Sequence, residues 1–419
     1  MPGFSMNQVK RMNIALFTME FPPYVHGGLG RYIECYQEYL LANNHDLWVF
    51  TYNSGELAEK EIRHRVSIYR PVRKTVIAFT ETVSRYRYLL FFMRFLKLFF
   101  YNIDCYRIIR KLQRNIRFDS IAIHDWMSCP AGILCALTLK IPIVFHVHNT
   151  EKTMTPWGKR MDPLRYIAIT ERLMAGMARA IIVPSDKMYH LVVEHGWKPE
   201  KIAVIPHGYR APDHSPDPES RNQARSLIQS RLSLDPHDKV VLFVGRLAHA
   251  KGVYQLIHAM KTVAARFPNL KLVLIGKGEN REVESLIRQL DLGGTIYAYY
   301  RFLSAAEVSE HYRAADLCVF PSLYEPFGLV ALEAMSHGKP VILGTGFPEM
   351  LANDPEHPTA VLVDGNRPEM LAEAIIGLLQ DTEKSTRLGK AAQSFVAAHF
   401  DWNKTFAETV RVYQQAING

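Results

Sequence analysis

Short apolar segments alternate with longer amphipathic segments along most of this chain. Residues 12–19, for example, read MNIALFTM, a run typical of a strand that is buried on both faces of a parallel sheet. Loops with glycine or proline separate such strands from segments of helical length in both halves of the chain. The alternation predicts an α/β fold made of two doubly wound, Rossmann-like domains that face each other across a cleft.

The most informative of these steps is PSLYEPFGLVALEAMSHGKPVI, at residues 321–342. A strand ends before it, and a helix is predicted to begin inside it, where backbone N–H groups lack intrahelical acceptors and attract anions such as a diphosphate. Glu325 precedes the helix and is placed to accept hydrogen bonds from a sugar, whereas Glu333 lies about two turns on, within reach of ribose hydroxyls. A capped amphipathic helix with two incidental glutamates is the alternative. The hydrogen-bond donors predicted at the helix start are the backbone N–H groups of Phe327, Gly328, Leu329 and Val330.

The strand VVLFV ends in Gly245-Arg246, and Lys251 stands just before the next predicted helix. Two cations in one strand-to-helix loop suit a diphosphate, because arginine binds two oxygens at once. Arg246 and Lys251 are therefore predicted to hold the phosphates, with an ordinary basic loop as the alternative.

A second glycine loop follows the first strand, in EFPPYVHGGLG (20–30). Gly27, Gly28 and Gly30 allow backbone N–H groups to approach a phosphate closely, although a tight turn without a ligand has the same sequence. The next strand ends in Tyr52-Asn53, where a nicotinamide enzyme needs an acidic residue for the ribose, which argues against a dehydrogenase.

Histidines stand at two further strand ends. His124 closes the strand before Asp125-Trp126, and the strand IPIVFHVHN carries His148 and Asn149 to the same edge, where open α/β sheets bind ligands. The histidines of this strand could bind a metal ion, but a third ligand is not evident. Hydrogen bonding to an acceptor and a purely structural role both remain open for His148 and Asn149.

The net charge of +9 and the pI of about 9.2 favour anionic partners. No nucleic-acid recognition motif accompanies the charge, so nucleic acid is not an expected partner. Five cysteines without metal-site spacing predict buried free thiols in a reducing compartment. Neither a signal peptide nor a membrane-spanning run is evident, which predicts a cytoplasmic protein.

Residues 83–117 form a segment of helical length that is dense in aromatic residues and has basic but almost no acidic residues. Its basic residues Arg87, Arg94 and Lys97 fall on one side of a helical wheel. One hypothesis is that the segment lies on an anionic membrane surface at the inner face of the membrane and brings the site to a lipid-linked acceptor. The alternative is an internal helix with snorkelling basic side chains.

Together these segments resemble the retaining glycosyltransferases of family four, which have the GT-B fold. The resemblance lies in Glu325-(seven residues)-Glu333, in GRL-KG at 245–252 and in HGGLG at 26–30, while HDW at 124–126 is similar to glycogen synthases. It implies transfer of a hexosyl unit, with retention, from a nucleotide-sugar donor to a hydroxyl of a sugar, lipid-linked or other acceptor in glycoconjugate synthesis. The chain has no Asp-x-Asp sequence, so neither a metal nor any cofactor beyond the co-substrate is expected.

The resemblance also implies particular roles and boundaries. His124 would contact the donor sugar, and Tyr300 replaces a glycine near the base pocket, where it could stack on the base. Met127 replaces a polar residue, which argues against a glucan acceptor. An acceptor-side domain (1–208), a donor domain (209–398) and a terminal helix that crosses back to the first domain (399–419) are expected. A non-catalytic sugar-nucleotide or membrane-surface binding protein of the same fold is the alternative.

Overall fold

The computed structural model describes residues 11–25, 27–73, 87–150, 164–209, 218–232, 234–235, 237–352 and 358–419. The chain forms two compact units: unit 1 comprises residues 1–206 with 402–419, and unit 2 comprises 207–401. The sequence analysis placed these divisions after residues 208 and 398.

Unit 1 is built on an eight-stranded sheet with the order β3-β4-β2-β1-β5-β6-β7-β8. All neighbouring strands are parallel except the pair β3 and β4. The strands are β1 (Asn13–Phe17), β2 (Asp46–Phe50), β3 (Lys60–Arg63), β4 (Val66–Tyr69), β5 (Ser120–His124), β6 (Ile143–His146), β7 (Ala180–Val183) and β8 (Ile202–Val204). The helices are α1 (Gly28–Ala42), α2 (Arg87–Leu112), α3 (Cys129–Thr138), α4 (Leu164–Met177), α5 (Asp186–Glu194) and, from the end of the chain, α13 (Trp402–Asn418).

Unit 2 is built on a six-stranded parallel sheet with the order β11-β10-β9-β12-β13-β14. Its strands are β9 (Lys239–Val244), β10 (Leu270–Ile275), β11 (Ile296–Tyr299), β12 (Leu317–Phe320), β13 (Val341–Gly344) and β14 (Val361–Val363). Its helices are α6 (Pro218–Leu232), α7 (Val253–Arg266), α8 (Asn280–Gln289), α9 (Ala305–Ala314), α10 (Leu329–Ser336), α11 (Pro368–Gln380) and α12 (Thr382–His399). The expected α/β class with two Rossmann-like domains is confirmed.

Strand β9 is apolar throughout because its alternate residues pack on opposite faces of the sheet. Val240 and Leu242 belong to the hydrophobic cluster on one face of the sheet, and Val241 and Phe243 belong to the cluster on the other. Each fully buried aliphatic side chain of this kind contributes about 1.5–3 kcal/mol to folding. Helices therefore cover both faces, and polar side chains collect at the ends of the strands.

The strand orders define one topological switch point in each unit. In unit 1 the chain leaves β1 for β2 on one side and returns to β5 on the other, and in unit 2 β9 has β10 on one side and β12 on the other. Open α/β sheets bind ligands outside the carboxyl ends of the strands at such points. Within the described ranges, every helix is too short or too polar to cross a lipid bilayer.

Candidate active site

The switch point of unit 2 joins two loops that sequence analysis had treated separately. The ammonium Nζ of Lys251 lies 2.6 Å from a carboxylate oxygen of Glu325, and both side chains are mostly buried, with 17% and 13% of their surface exposed. Arg246 is exposed at the end of β9, in the same loop as Lys251. The loop that follows β9 and the loop that follows β12 thus share one ion pair.

Backbone contacts hold these two loops together. The N–H of Leu323 donates to the carbonyl of Ala250 over 2.9 Å. The N–H of Glu325 donates over 3.0 Å to the carbonyl of Gly346, which lies in a third loop, after β13. Gly252 has φ of 67°, and a Cβ there would lie 2.0 Å from the carbonyl oxygen of Pro321. Only glycine adopts this conformation without strain and also leaves room for the neighbouring backbone.

Helix α10 begins at Leu329, so two of the predicted donors, Phe327 and Gly328, precede it and two, Leu329 and Val330, open it. Gly328 caps the helix with φ of 98°, and a Cβ there would lie 2.2 Å from the ring of Phe347. The first N–H groups of the helix have no acceptors within it, which favours an anion at this end.

Glu333 lies on α10 and is held by a buried tyrosine. The hydroxyl of Tyr312 lies 3.1 Å from a carboxylate oxygen of Glu333 and 3.2 Å from the carbonyl of Val330. Burial and then the charge of Glu333 raise the pKa of Tyr312 well above its usual value, so this hydroxyl stays a donor. Tyr300 follows β11 and packs, partly buried, against the hydrophobic cluster around β10.

In unit 1, three histidine rings lie together at the ends of β5 and β6. His124 and His146 are paired across the two strands, and their rings stack with centroids 4.2 Å apart and planes 20° apart. His124 Nδ1 lies 3.0 Å from His148 Nε2. The side chain of His124 is fully buried, so His148 is the more accessible of this hydrogen-bonded pair.

These three histidines offer ligand atoms within 4.8 Å of one another, which raises the question of a metal. An imidazole binds a metal ion in the plane of its ring, at about 2.0–2.1 Å for zinc. The rings of His124, His146 and His148 are instead stacked, with interplanar angles of 13–20°. His146 is also hydrogen bonded through Nε2 to Tyr413 on α13 at 2.7 Å. This arrangement fits a hydrogen-bonded cluster, in which burial lowers the pKa of His146 well below its usual value and that of His148 to about 3.

Asp125 is a site residue that sequence reasoning missed. Its carboxylate accepts the backbone N–H of His148 at 2.7 Å and that of Asn149 at 3.3 Å, and its backbone φ is 56°. Burial is the main cause that raises the pKa of Asp125 to about 7, and the nearby charge of Glu20 also raises it. The two backbone hydrogen bonds lower the pKa and offset part of this rise. Strained non-glycine residues concentrate at functional sites. In the sequence, the only signal for Asp125 was its position directly after the strand-end His124.

Glu20 was missed as well, although it stands between β1 and the glycine loop. One of its carboxylate oxygens accepts the N–H groups of Gly27 at 3.2 Å and of Gly30 at 3.1 Å. The third predicted glycine, Gly28, is the first residue of α1. Two of the three predicted phosphate donors of this loop, Gly27 and Gly30, are therefore engaged by a carboxylate of the protein itself.

Comparisons with known proteins identify the family that the chain resembles. The family described as Glycosyltransferase Family 4 matches residues 26–211, and the family described as Glycosyl transferases group 1 matches residues 225–395. An uncharacterized glycosyltransferase of Methanocaldococcus jannaschii is 29% identical over 97% of this chain and 99% of its own. The D-inositol 3-phosphate glycosyltransferase of Corynebacterium glutamicum is 31% identical over 73% of this chain and 74% of its own.

Solved structures share the fold at lower identity. A sucrose-phosphate synthase from Thermosynechococcus elongatus has a TM-score of 0.77 at 23% identity, over 97% of this chain and 99% of that one. Anabaena HepE, solved in complex with UDP and glucose, has a TM-score of 0.73 at 17% identity, over 97% of this chain and 100% of that one.

Proposed function

Since this chain belongs to the family 4 glycosyltransferases of the GT-B fold, we propose that it transfers a hexosyl unit from a nucleoside-diphosphate sugar to a hydroxyl acceptor with retention at the anomeric carbon. The observation that carries the proposal is the contact of Lys251 with Glu325, 2.6 Å apart beside the start of α10. A cation for the leaving phosphate and a carboxylate for sugar hydroxyls then stand side by side.

The barrier lies in departure of the diphosphate. The bond from the anomeric carbon to the phosphate oxygen breaks, a bond to the acceptor oxygen forms on the same face, and the acceptor proton passes to the departing phosphate. Negative charge grows on the diphosphate, where Lys251, Arg246 and the N–H groups at the start of α10 stabilise it more strongly than in the ground state. Because Glu325 holds Lys251 in place beforehand, little reorganisation is needed.

The remaining residues have supporting roles in this proposal. Glu333 binds the ribose, with Tyr312 fixing its orientation, and Tyr300 borders the base. In unit 1, His148 and Asn149 hydrogen bond to the acceptor, and the fully buried His124 acts through its hydrogen bond to His148. No resident cofactor or metal takes part. We also propose that residues 83–117 contact an anionic membrane surface. Residues 83–86 lie outside the described residues, and the proposal rests on Phe95 and Phe99, which expose 39% and 58% of their surface on α2.

The experiment is a thermal-shift screen of nucleotide sugars followed by a turnover assay with the donor that binds. We expect release of nucleoside diphosphate with an acceptor, unaffected by a chelator, and a product whose anomeric configuration by NMR matches that of the donor. Donor binding without turnover on any acceptor would favour the non-catalytic alternative. An inverted product would remove the retaining mechanism, and loss of turnover in the chelator would contradict metal independence.

A further inference from the structure

The last helix of the chain, α13, packs on unit 1 through a stripe of large side chains. Trp402, Phe406, Val410 and Tyr413 follow one another at spacings of four, four and three residues, and all four are buried. This spacing keeps them on one face of a helix. Because Tyr413 is fully buried, its hydroxyl needs a hydrogen-bond partner inside the protein.

That partner is His146, one of the three clustered histidines. The hydroxyl oxygen of Tyr413 lies 2.7 Å from His146 Nε2, whereas that of Tyr32 lies 3.5 Å from His146 Nδ1. Burial raises the pKa of Tyr413 well above its usual value, so its hydroxyl keeps the proton. Burial and then the charge of His148 lower the pKa of His146, so this ring has only one N–H at neutral pH.

The two distances favour one position for that proton. A contact of 2.7 Å is usual for an O–H donor, whereas N–H donors are most often about 2.9–3.0 Å from their acceptors. The hydroxyl of Tyr413 is then the donor, Nε2 of His146 is the acceptor, and the N–H of this ring is at Nδ1. A hydrogen bond of this kind selects the tautomer of a histidine and fixes the plane of its ring.

The orientation of His146 matters because the other two rings are packed against it or held by its neighbour. His124 stacks on His146 with centroids 4.2 Å apart, so neither ring can turn in this closely packed interior without displacing the other. His124 Nδ1 in turn lies 3.0 Å from His148 Nε2. The ring of His148 is thus linked, through two other histidines, to a hydroxyl on the last helix.

We propose that Tyr413 is a positioning residue for the histidines of unit 1: its hydroxyl fixes the ring of His146, and the ring of His124, stacked on it, is thereby held towards His148. The proposal rests on the glycosyltransferase function proposed above, in which His148 hydrogen bonds to the acceptor. A terminal helix that only packs would need the ring of Tyr413 but not its hydroxyl.

The first test is therefore Tyr413→Phe, which removes the hydroxyl and keeps the ring. We expect kcat/KM for the acceptor to fall by about tenfold or more, since partners that orient histidines in metal sites are worth about 10–100-fold. KM for the donor should stay within about twofold of the parent value. The matched control is Tyr39→Phe at the same interface, where the half-buried Tyr39 ring lies 5.6 Å from that of Phe406. This control should change neither constant.

A double-mutant cycle with His146→Phe separates positioning from a loss of packing. If Tyr413 acts through His146, Tyr413→Phe has no further effect on kcat/KM once the imidazole is gone, and the two changes are non-additive. An unchanged kcat/KM in Tyr413→Phe would overturn the proposal, and so would an equal fall in the parent and His146→Phe backgrounds. Melting temperatures of all variants establish that each protein is folded in the assay.

Proton–nitrogen correlation spectra of the histidine rings test the same contact without any substrate. Single histidine substitutions assign the signals of the three rings. We expect one neutral tautomer of His146, with its proton on Nδ1, and a shift of the ring nitrogens of His146 and His124 in Tyr413→Phe but not in Tyr39→Phe. Unshifted His124 nitrogens in Tyr413→Phe would overturn the positioning role. A parent protein that turns over no donor would contradict the function proposed above, and these spectra would then decide the role of Tyr413.

Discussion

The two sheets of this molecule carry different chemistry at equivalent edges. At the switch point of unit 2 the central groups are charged: Lys251 and Glu325 form an ion pair, and Arg246 is exposed nearby. At the switch point of unit 1 they are mostly buried, with stacked histidines and an aspartate whose pKa burial raises to about 7. The comparison supports the division of roles proposed above, in which unit 2 stabilises charge on a phosphate and unit 1 offers hydrogen bonds to the acceptor.

The largest effect on this contrast is expected from Lys251→Ala. Loss of a preorganised charge-assisted contact costs about 2.7–4 kcal/mol in well-studied oxyanion sites, so kcat should fall by about 10²–10³-fold. Lys261→Ala, an exposed lysine on α7, is the matched control and should retain normal turnover. Steady-state kinetics with the identified donor provide the measurement. A kcat within a few-fold of the parent protein would break the assignment of unit 2 as the charge-stabilising half.

The next test is Asp125→Asn, which probes the buried switch point of unit 1. The folded carboxyl has a pKa of about 7 against an ordinary 3.8, so the native state keeps a proton that the unfolded chain releases between these values. Stability therefore falls as pH rises through this window, by up to about 1.4 kcal/mol per pH unit. Between pH 5 and pH 8 the parent protein should lose roughly 3 kcal/mol relative to Asp125→Asn, whose amide oxygen still accepts backbone N–H groups.

Denaturant unfolding of both proteins at several pH values measures this difference. The other titrating groups are common to both, so they cancel in the comparison. Parallel pH profiles for the parent and Asp125→Asn would mean that the carboxylate is well solvated, and the contrast between the two units would lose its electrostatic basis.

The same contrast explains what sequence reasoning could and could not find. Arg246, Lys251, Glu325 and Glu333 are spaced within two short loops and one helix, so local pattern was enough to select them. The contacts of Glu20 and Asp125 depend on where β1, β5 and β6 lie side by side in the sheet, which no local spacing specifies. The sequence brings the three histidines to one edge, but it does not specify that His124 stacks on His146, because the two residues lie on different strands with α3 between them.

A third test changes the backbone that supports the ion pair of Lys251 and Glu325 and leaves both charges in place. In Gly252→Ala the new Cβ meets the Pro321 carbonyl at 2.0 Å, and φ is 67°, so the loop after β9 must shift at a cost of about 1–3 kcal/mol. Gly377→Ala on α11 is the control: its Cβ meets nothing within 4 Å, and the variant should be more stable by up to about 1 kcal/mol. Thermal melts and donor affinity provide the measurements. Unchanged donor affinity in Gly252→Ala would show that the loop position does not matter.

The smallest effect is expected from Glu20→Gln, which asks whether unit 1 also takes part in phosphate binding. The carboxylate of Glu20 now occupies the N–H groups of Gly27 and Gly30, and it would repel a diphosphate that approached them. Removing one negative charge at a partly solvated site is worth about 1 kcal/mol, so affinity for a nucleoside diphosphate should rise by about fivefold. Calorimetric titration at low and high salt measures it, because an electrostatic gain shrinks as salt rises. If affinity is unchanged at low salt, the glycine loop holds only Glu20, and charge stabilisation belongs to unit 2 alone.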